Sequence, residues 1–571
     1  MGDYQTILTF AGFLVLFVLL TLLLGRRERI RTRDKLVKKL RGDFGRMPSK
    51  NTPPERFAQI PQYYLHHAGR FQIDDITWND LDMDRLFRTM DHTCSASGEE
   101  YLYYLLRTPA LHGEDLPFTQ DQYSWFAQDK NEGQRIRLQE ILTRLGHAGR
   151  YSLYDYIDST NVLGERSNRK HYIAAAAPFL AFGCMFISTG PGLVALLIVF
   201  AFNLRTYFKE KSVIAPYYQV FNYILRLLDC AQSLEKEGCP VFAEETAQIP
   251  GLTQAFSAFR RGSGILLGSA GGDSDPLGII LEYIRMLFHL DLIKFNNMLE
   301  HMRGRQKEID ALLTITGRID ACISIASWKE TLPHSSVPVL HETAGLSNSQ
   351  KRTVFHVKDL FHPLLTDPVS NSVDADRPVL LTGSNASGKS TFLKAAALCA
   401  LLSQAVGISP AEQYEGAYYR IYTSMALRDS LQDGESYFIV EIKSLRRILE
   451  AADPNDNPVM CCIDEVLRGT NTVERIAASA EILRCFAQTG TLCFAATHDL
   501  ELTGILSDVY DNYHFSEQIV DGDVRFSYRL LPGPSNSCNA IALLSSLGYD
   551  RTIVEKAQER ADGYLQKGSW Q

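Results

Sequence analysis

The chain has 571 residues, 45% of them hydrophobic, and a formal net charge of −8. That length allows several domains and a large core, and the acidic balance excludes a global basic field for nucleic acid, leaving only local patches for such contacts. Eleven cysteines occur without a C-x-x-C pair or a His/Cys cluster, which excludes a disulfide framework or a zinc site and suits a reducing compartment.

In chain order, Ile7 to Leu24 is an uncharged apolar run, about the length that spans a bilayer. Arg26 to Lys35, Lys38, Lys39 and Arg41 follow at once, whereas Asp3 stands where a cleaved signal peptide would carry basic residues. The positive-inside rule places the basic stretch in the cytoplasm; the same residues could also touch anionic headgroups or DNA. Residues 1–47 therefore read as an N-terminal transmembrane anchor with a basic linker.

Residues 48–170 read as soluble and helical. Tyr101, Leu102, Leu105 and Leu106 form one helical stripe that Pro109 stops. From Tyr172 to Leu204 charge is again absent, and Ser188 to Gly192 breaks the run in two. Arg166, Arg169 and Lys170 precede it, and Arg205, Lys209 and Lys211 follow. A transmembrane hairpin over 171–208 with both ends cytoplasmic satisfies that pattern; a re-entrant loop or a buried helical hairpin satisfies it too. Residues 209–350 return to helical periodicity, as in Tyr218, Phe221, Ile224, Leu225 and Leu228.

From about Thr353, strands alternate with helices, the mark of an α/β domain with a largely parallel sheet, assigned here to 351–571. An apolar strand, Pro378 to Thr382, leads into Gly383, Ser384, Asn385, Ala386, Ser387, Gly388, Lys389, Ser390 and Thr391. This fits G-x-x-x-x-G-K-[ST], in which backbone N–H groups and a helix N-terminus surround phosphates, the lysine reaches the outer phosphates and the hydroxyl of Ser390 ligates Mg²⁺. The pattern predicts ATP-type nucleotide binding. A second strand, Pro458 to Ile463, ends in Asp464 and Glu465. Such a pair also occurs as a helix cap, but after a phosphate loop Asp464 is expected on Mg²⁺ and Glu465 on the attacking water. A third strand, Leu492 to Thr497, ends in His498, placed to sense the γ-phosphate.

These motifs resemble those of MutS-family ATPases. Thr382 to Thr391, with Asn385, is similar to their Walker A, Ile463 to Thr472 to their Walker B and following loop, and Ala496 to Asp499 to their histidine switch. Gly434 to Glu441 resembles the signature loop, in which Ser436 would reach the nucleotide of the opposite subunit. His362-Pro363 resembles the opening turn of the domain, Arg529 to Gly533 and Ser537 to Gly548 the approach to the dimerisation helices, and Asp82 to Pro109 the start of the lever region. Ser384, Ala386 and Ser387 stand where the family usually has Pro, Met and Gly, and Ala540 stands where a glycine is usual.

The resemblance implies a C-terminal α/β P-loop NTPase domain of the ABC/MutS kind and a helical lever or core region before it; with the two membrane elements read from the apolar runs, of which the hairpin has no counterpart in soluble MutS proteins, the chain is multidomain. The resemblance further implies a homodimer hydrolysing ATP with Mg²⁺ at its interface, with Glu465, Lys389 and His498 catalytic, while the flanking charges predict the cell (inner) membrane with the ATPase domain cytoplasmic. The levers would then grip DNA, mismatched or branched. No Phe-x-Glu mismatch reader precedes them, and the net acidity suits an alternative: a membrane-tethered mechanical or scaffolding ATPase acting on protein or lipid.

Overall fold

A computed structural model describes the chain apart from residues 1, 51, 68, 70, 148–151, 153, 155–163, 165, 264–275, 344–352, 385–386, 426–436, 454, 468–470, 521–522, 536–540, 542–543, 545–547 and 568–571. It divides into two compact units. One holds Met1–His66, Asp91–Leu102 and Asp121–Glu330; the other holds His67–Met90, Tyr103–Gln120 and Thr331–Gln571.

The first unit is helical. Its first apolar run and the basic stretch form one helix, Gly2–Asp43. Arg33 Nε meets Glu140 at 2.7 Å and Arg41 meets Glu132 at 3.2 Å, which ties the basic half to helix Glu132–Leu145. Of the apolar run, the side chains of Leu20, Leu23 and Leu24 are described, and all are exposed.

Helix Gln306–Lys329 is the spine of the core. At Gly317 an added Cβ would sit 2.7 Å from the Ser97 carbonyl oxygen, so only glycine permits that approach. One turn further on, the buried Asp320 carboxylate accepts from the N–H groups of Cys94 and Ser95 and from the Ser95 hydroxyl. These bonds satisfy donors at the start of helix Ala96–Arg107 that burial would otherwise orphan.

Helices Arg169–Met185 and Thr189–Ile214 form an antiparallel hairpin. Its turn brings Gly192 so close that a Cβ there would lie 2.6 Å from Met185 Cα. The Asn203 amide, itself buried, donates to the carbonyls of Ala174 and Leu287 at 2.8 and 3.0 Å. The outer faces are bare apolar surface: Phe179, Leu180, Leu197 and Ile198 are exposed, and Phe186 and Ile187 at the tip are 83% and 88% exposed. Among the described residues, one helix, Thr189–Ile214, is long and apolar enough to cross a membrane.

The second unit holds two sheets. Strands β1 (Val339–His341), β2 (Phe355–Leu360), β3 (Asn371–Ala375) and β5 (Gln413–Ala417) make a four-stranded sheet in the order β1-β5-β2-β3. Strands β4 (Val379–Thr382), β6 (Arg420–Ser424), β7 (Val459–Asp464), β8 (Leu492–Ala496), β9 (Asp511–Val520) and β10 (Asp523–Pro532) make a six-stranded sheet in the order β10-β9-β4-β8-β7-β6. All its pairings are parallel except β9 with β10. β4 lies between β8 and β9 and is buried at every residue, which explains its uninterrupted apolar sequence.

Residues 67–90 and 103–120 join this unit although chain order placed them in the first helical region. Polar side chains account for it. The Asp80 carboxylate, buried, accepts from Thr423 Oγ1 at 2.7 Å and from Met425 N–H at 2.9 Å, and the Gln404 amide donates to the Ala110 carbonyl at 2.9 Å.

Candidate functional site

Parallel strands bring their carboxyl ends to one edge, where ligands of open α/β sheets bind. Leu381 of β4 and Asp464 of β7 both pair with Ala496 of β8, so the three ends lie level. The phosphate-loop candidates follow β4, Glu465 follows β7, and Thr497 and His498 follow β8. Thr497 N–H donates to the Leu381 carbonyl at 2.9 Å, which fixes the last two relative to the loop.

Gly383 has φ 140° and Gly388 has φ 112°. A Cβ at Gly383 would lie 2.8 Å from the Phe515 carbonyl oxygen, so both the conformation and the space require glycine. Gly388 caps helix Lys389–Val406. The Lys389 ammonium is buried and donates to the carbonyls of Gly383 and Ser384 at 2.7 and 2.8 Å. Ser387 is buried, and Ser390 and Thr391 are exposed in the first helical turn. Asn385, Ala386 and Ser436 lie outside the described residues, so the loop centre and the in-trans serine are not placed.

Asp464 ends β7 half-buried. Glu465 has φ 63° and Leu467 φ 60°, left-handed conformations that cost a non-glycine residue about 1 kcal/mol or more. Hydrogen bonds hold them there: Glu465 N–H donates to the Ala496 carbonyl at 3.0 Å, and Leu467 N–H to the buried Glu441 carboxylate at 2.7 Å. Strain so maintained aims the Glu465 side chain, whose Oε1 lies 2.5 Å from His498 Nε2.

A small pocket gathers Glu465, Val466, Arg475, Thr497, His498 and Asp499. Arg475 and Asp499 pair through two bonds of 2.9 and 2.6 Å, and the hydrogen bond to Asp499 raises the guanidinium pKa further. Arg475 and Glu517, which bonds Ser384, carry no local sequence signal, since each acts through a partner distant in sequence; Glu441 ends the Gly434–Glu441 stretch, but nothing there marks its bond to Leu467.

Beside Gly388 opens a cleft of about 200 Å³, with Leu365, Pro368, Val369, Phe392, Phe515 and Tyr528 among its walls. Its apolar, aromatic lining suits a flat ring more than another phosphate. At its back, burial pushes the His362 imidazole down to about 4, so the ring is neutral, and its Nδ1 accepts from Leu364 N–H at 3.3 Å.

Residues 379–564 match the family model of MutS domain V. The chain is also 28% identical over 279 residues to DNA mismatch repair protein MutS 2 of Haloarcula marismortui, covering 46% of this chain and 29% of that protein. It is 32% identical over 202 residues to DNA mismatch repair protein MutS of Thermus thermophilus, covering 34% of this chain and 24% of that protein. With MutS of Pseudothermotoga lettingae it shares 28% identity over 282 residues, 46% of this chain and 34% of that protein. The matches thus span no more than 34% of these relatives' lengths. The MutS domain V match begins at the first residue of β4 and takes in the phosphate-loop residues, Asp464, Glu465 and His498, while the cleft residues His362 to Val369 precede it.

Proposed function

We propose that the chain is a MutS-type ATP hydrolase. The observation that carries this reading is the alignment of Lys389, Asp464, Glu465 and His498 at one sheet edge, with Glu465 strained toward His498. The base would occupy the apolar cleft at Phe392 and Tyr528, and the phosphates the loop from Gly383 to Ser390.

The residues present fit Mg²⁺. Ser390 and Asp464 offer hard oxygen donors, which suit an ion held by one carboxylate, one hydroxyl and the substrate phosphates. When bound, Mg²⁺ neutralises charge on the β- and γ-phosphate oxygens. Lys389 binds those phosphates, Glu465 orients and polarises the attacking water, and His498 holds Glu465 in place.

The chain works as a homodimer, with Ser436 of one copy completing the partner's site, and closure on ATP moves the helical levers. It is held in the cell membrane by the N-terminal apolar run and by the hairpin, whose bare apolar faces and basic base support that placement. DNA is the expected cargo, since the similar proteins are DNA mismatch repair proteins. A membrane-side ATPase acting on protein or lipid is the second reading, favoured by the exposed hairpin and the net charge of −8.

The test is the ATPase rate of the detergent-purified chain with duplex, mismatched and branched DNA across a salt series. DNA-dependent rates that weaken with salt support the DNA reading; a rate indifferent to DNA supports the second.

A further inference from the structure

β9 backs the phosphate loop. Its Phe515 carbonyl oxygen is the atom that excludes a Cβ from Gly383, and two residues on, Glu517 reaches the same segment. The Ser384 hydroxyl donates to Glu517 Oε2. The Glu517 side chain is buried, and among the described residues its Oε1 has no hydrogen-bond partner. A buried carboxylate is costly to retain unless its bonds repay the desolvation, so its place behind the loop demands a role.

Ser384 is held from both ends. Its carbonyl accepts from Lys389 Nζ and its hydroxyl donates to Glu517. A charge-assisted bond of this kind is roughly twice as strong as a neutral one. Freeing it would let the Ser384 peptide rotate, turn its N–H away from the phosphates and release one of the two carbonyls that orient Lys389.

We propose that Glu517 is a positioning residue for the nucleotide, acting through Ser384 to preorganise the start of the phosphate loop at Gly383 and Ser384. The proposal rests on the ATPase reading above. Preorganisation lowers the cost of binding, so its loss is expected mainly in nucleotide affinity, with a smaller effect on turnover.

The experiment measures KM and kcat for ATP, and Kd for a fluorescent ATP analogue, in the full-length detergent-purified chain and in Glu517→Ala, Glu517→Gln, Ser384→Ala and the Glu517→Ala/Ser384→Ala double variant. Either alanine variant is expected to raise KM and Kd about three- to tenfold, with kcat falling less, since only part of the worth of a charged hydrogen bond passes through Ser384 to the nucleotide. The double variant is expected to be no worse than the worse single one, because both changes remove the same bond. Glu517→Gln keeps an acceptor oxygen and is expected to recover most of the affinity, a rescue that a general packing role would not give. Additive single effects, unchanged KM in both alanine variants, or a Glu517→Gln variant as weak as Glu517→Ala would overturn the positioning role while leaving a nucleotide-binding wild type intact. A wild type that binds no nucleotide overturns the ATPase reading, and the positioning role with it.

Discussion

Glu465 Oε1 and His498 Nε2, at the ends of adjacent parallel strands, lie 2.5 Å apart. Both are partly open to solvent, and the Glu465 backbone is in the left-handed region. A carboxylate held in this way has its direction fixed by the fold before any substrate arrives.

Loss of His498 therefore costs orientation more than chemistry. His498→Ala is expected to lower kcat about tenfold, well short of the loss from removing a general base outright. Steady-state ATPase assays check this. A His498→Ala variant with wild-type kcat would remove the histidine from the site.

Gly383 is a loop position with little tolerance of change. Gly383→Ala would place a Cβ 2.8 Å from the Phe515 carbonyl at φ 140°, a strain of about 1–3 kcal/mol. The expected outcome is about a five- to hundredfold loss of nucleotide affinity, given about 1.4 kcal/mol per decade, with little change in the melting temperature of the first unit. Lys389→Ala is expected to lose affinity as well, since its ammonium is the buried cation of the loop. Nucleotide titration of both variants reads the outcome.

Asp320 gives the first unit a pH dependence. Burial raises its carboxyl pKa from 3.8 to about 7, against the lowering effect of the bonds from Ser95 and Cys94. The folded state then holds a proton that the unfolded chain releases above about pH 4. Stability contributed by the neutral form is present below that value and declines as pH rises toward 7. Thermal melting at pH 5 and at pH 8 is expected to give the lower value at pH 8, and Asp320→Asn is expected to flatten the slope. The Glu100 carboxyl, pushed up to about 7 by burial despite its bond to Arg56, acts in the same direction.

The hairpin gives a prediction about attachment. A chain lacking residues 1–25 is expected to stay with the membrane fraction through Arg169–Met185 and Thr189–Ile214. Adding Leu197→Lys and Ile198→Lys to that chain places two charges on the exposed face, each costing about 2.5–3.5 kcal/mol at the centre of a spanning helix. Fractionation after a high-salt wash tests both. A soluble product from the deletion alone would show that the hairpin is not an anchor.

The parts of the molecule legible from sequence were those written locally. β4, β7 and β8 announce themselves as apolar runs ending in chemistry-bearing residues, and Pro109 and the Ser188–Gly192 break mark helix ends within two or three residues of where they fall. Long-range pairing was not legible. Nothing near Asp80 indicates that its carboxylate serves Thr423, and nothing near Glu517 indicates Ser384. The left-handed turn at Glu465 was hidden too, because glutamate carries no glycine-like signal for it. Such strain is imposed by neighbouring strands, here through the Ala496 carbonyl.

On the proposed reading, this sheet edge hydrolyses ATP with Glu465 acting on water. The most direct measurement is ATP turnover and ATP binding by the Glu465→Gln variant beside the wild type, in detergent with Mg²⁺. The variant is expected to bind ATP as the wild type does while kcat falls about 10²- to 10³-fold. Wild-type turnover in Glu465→Gln would contradict it.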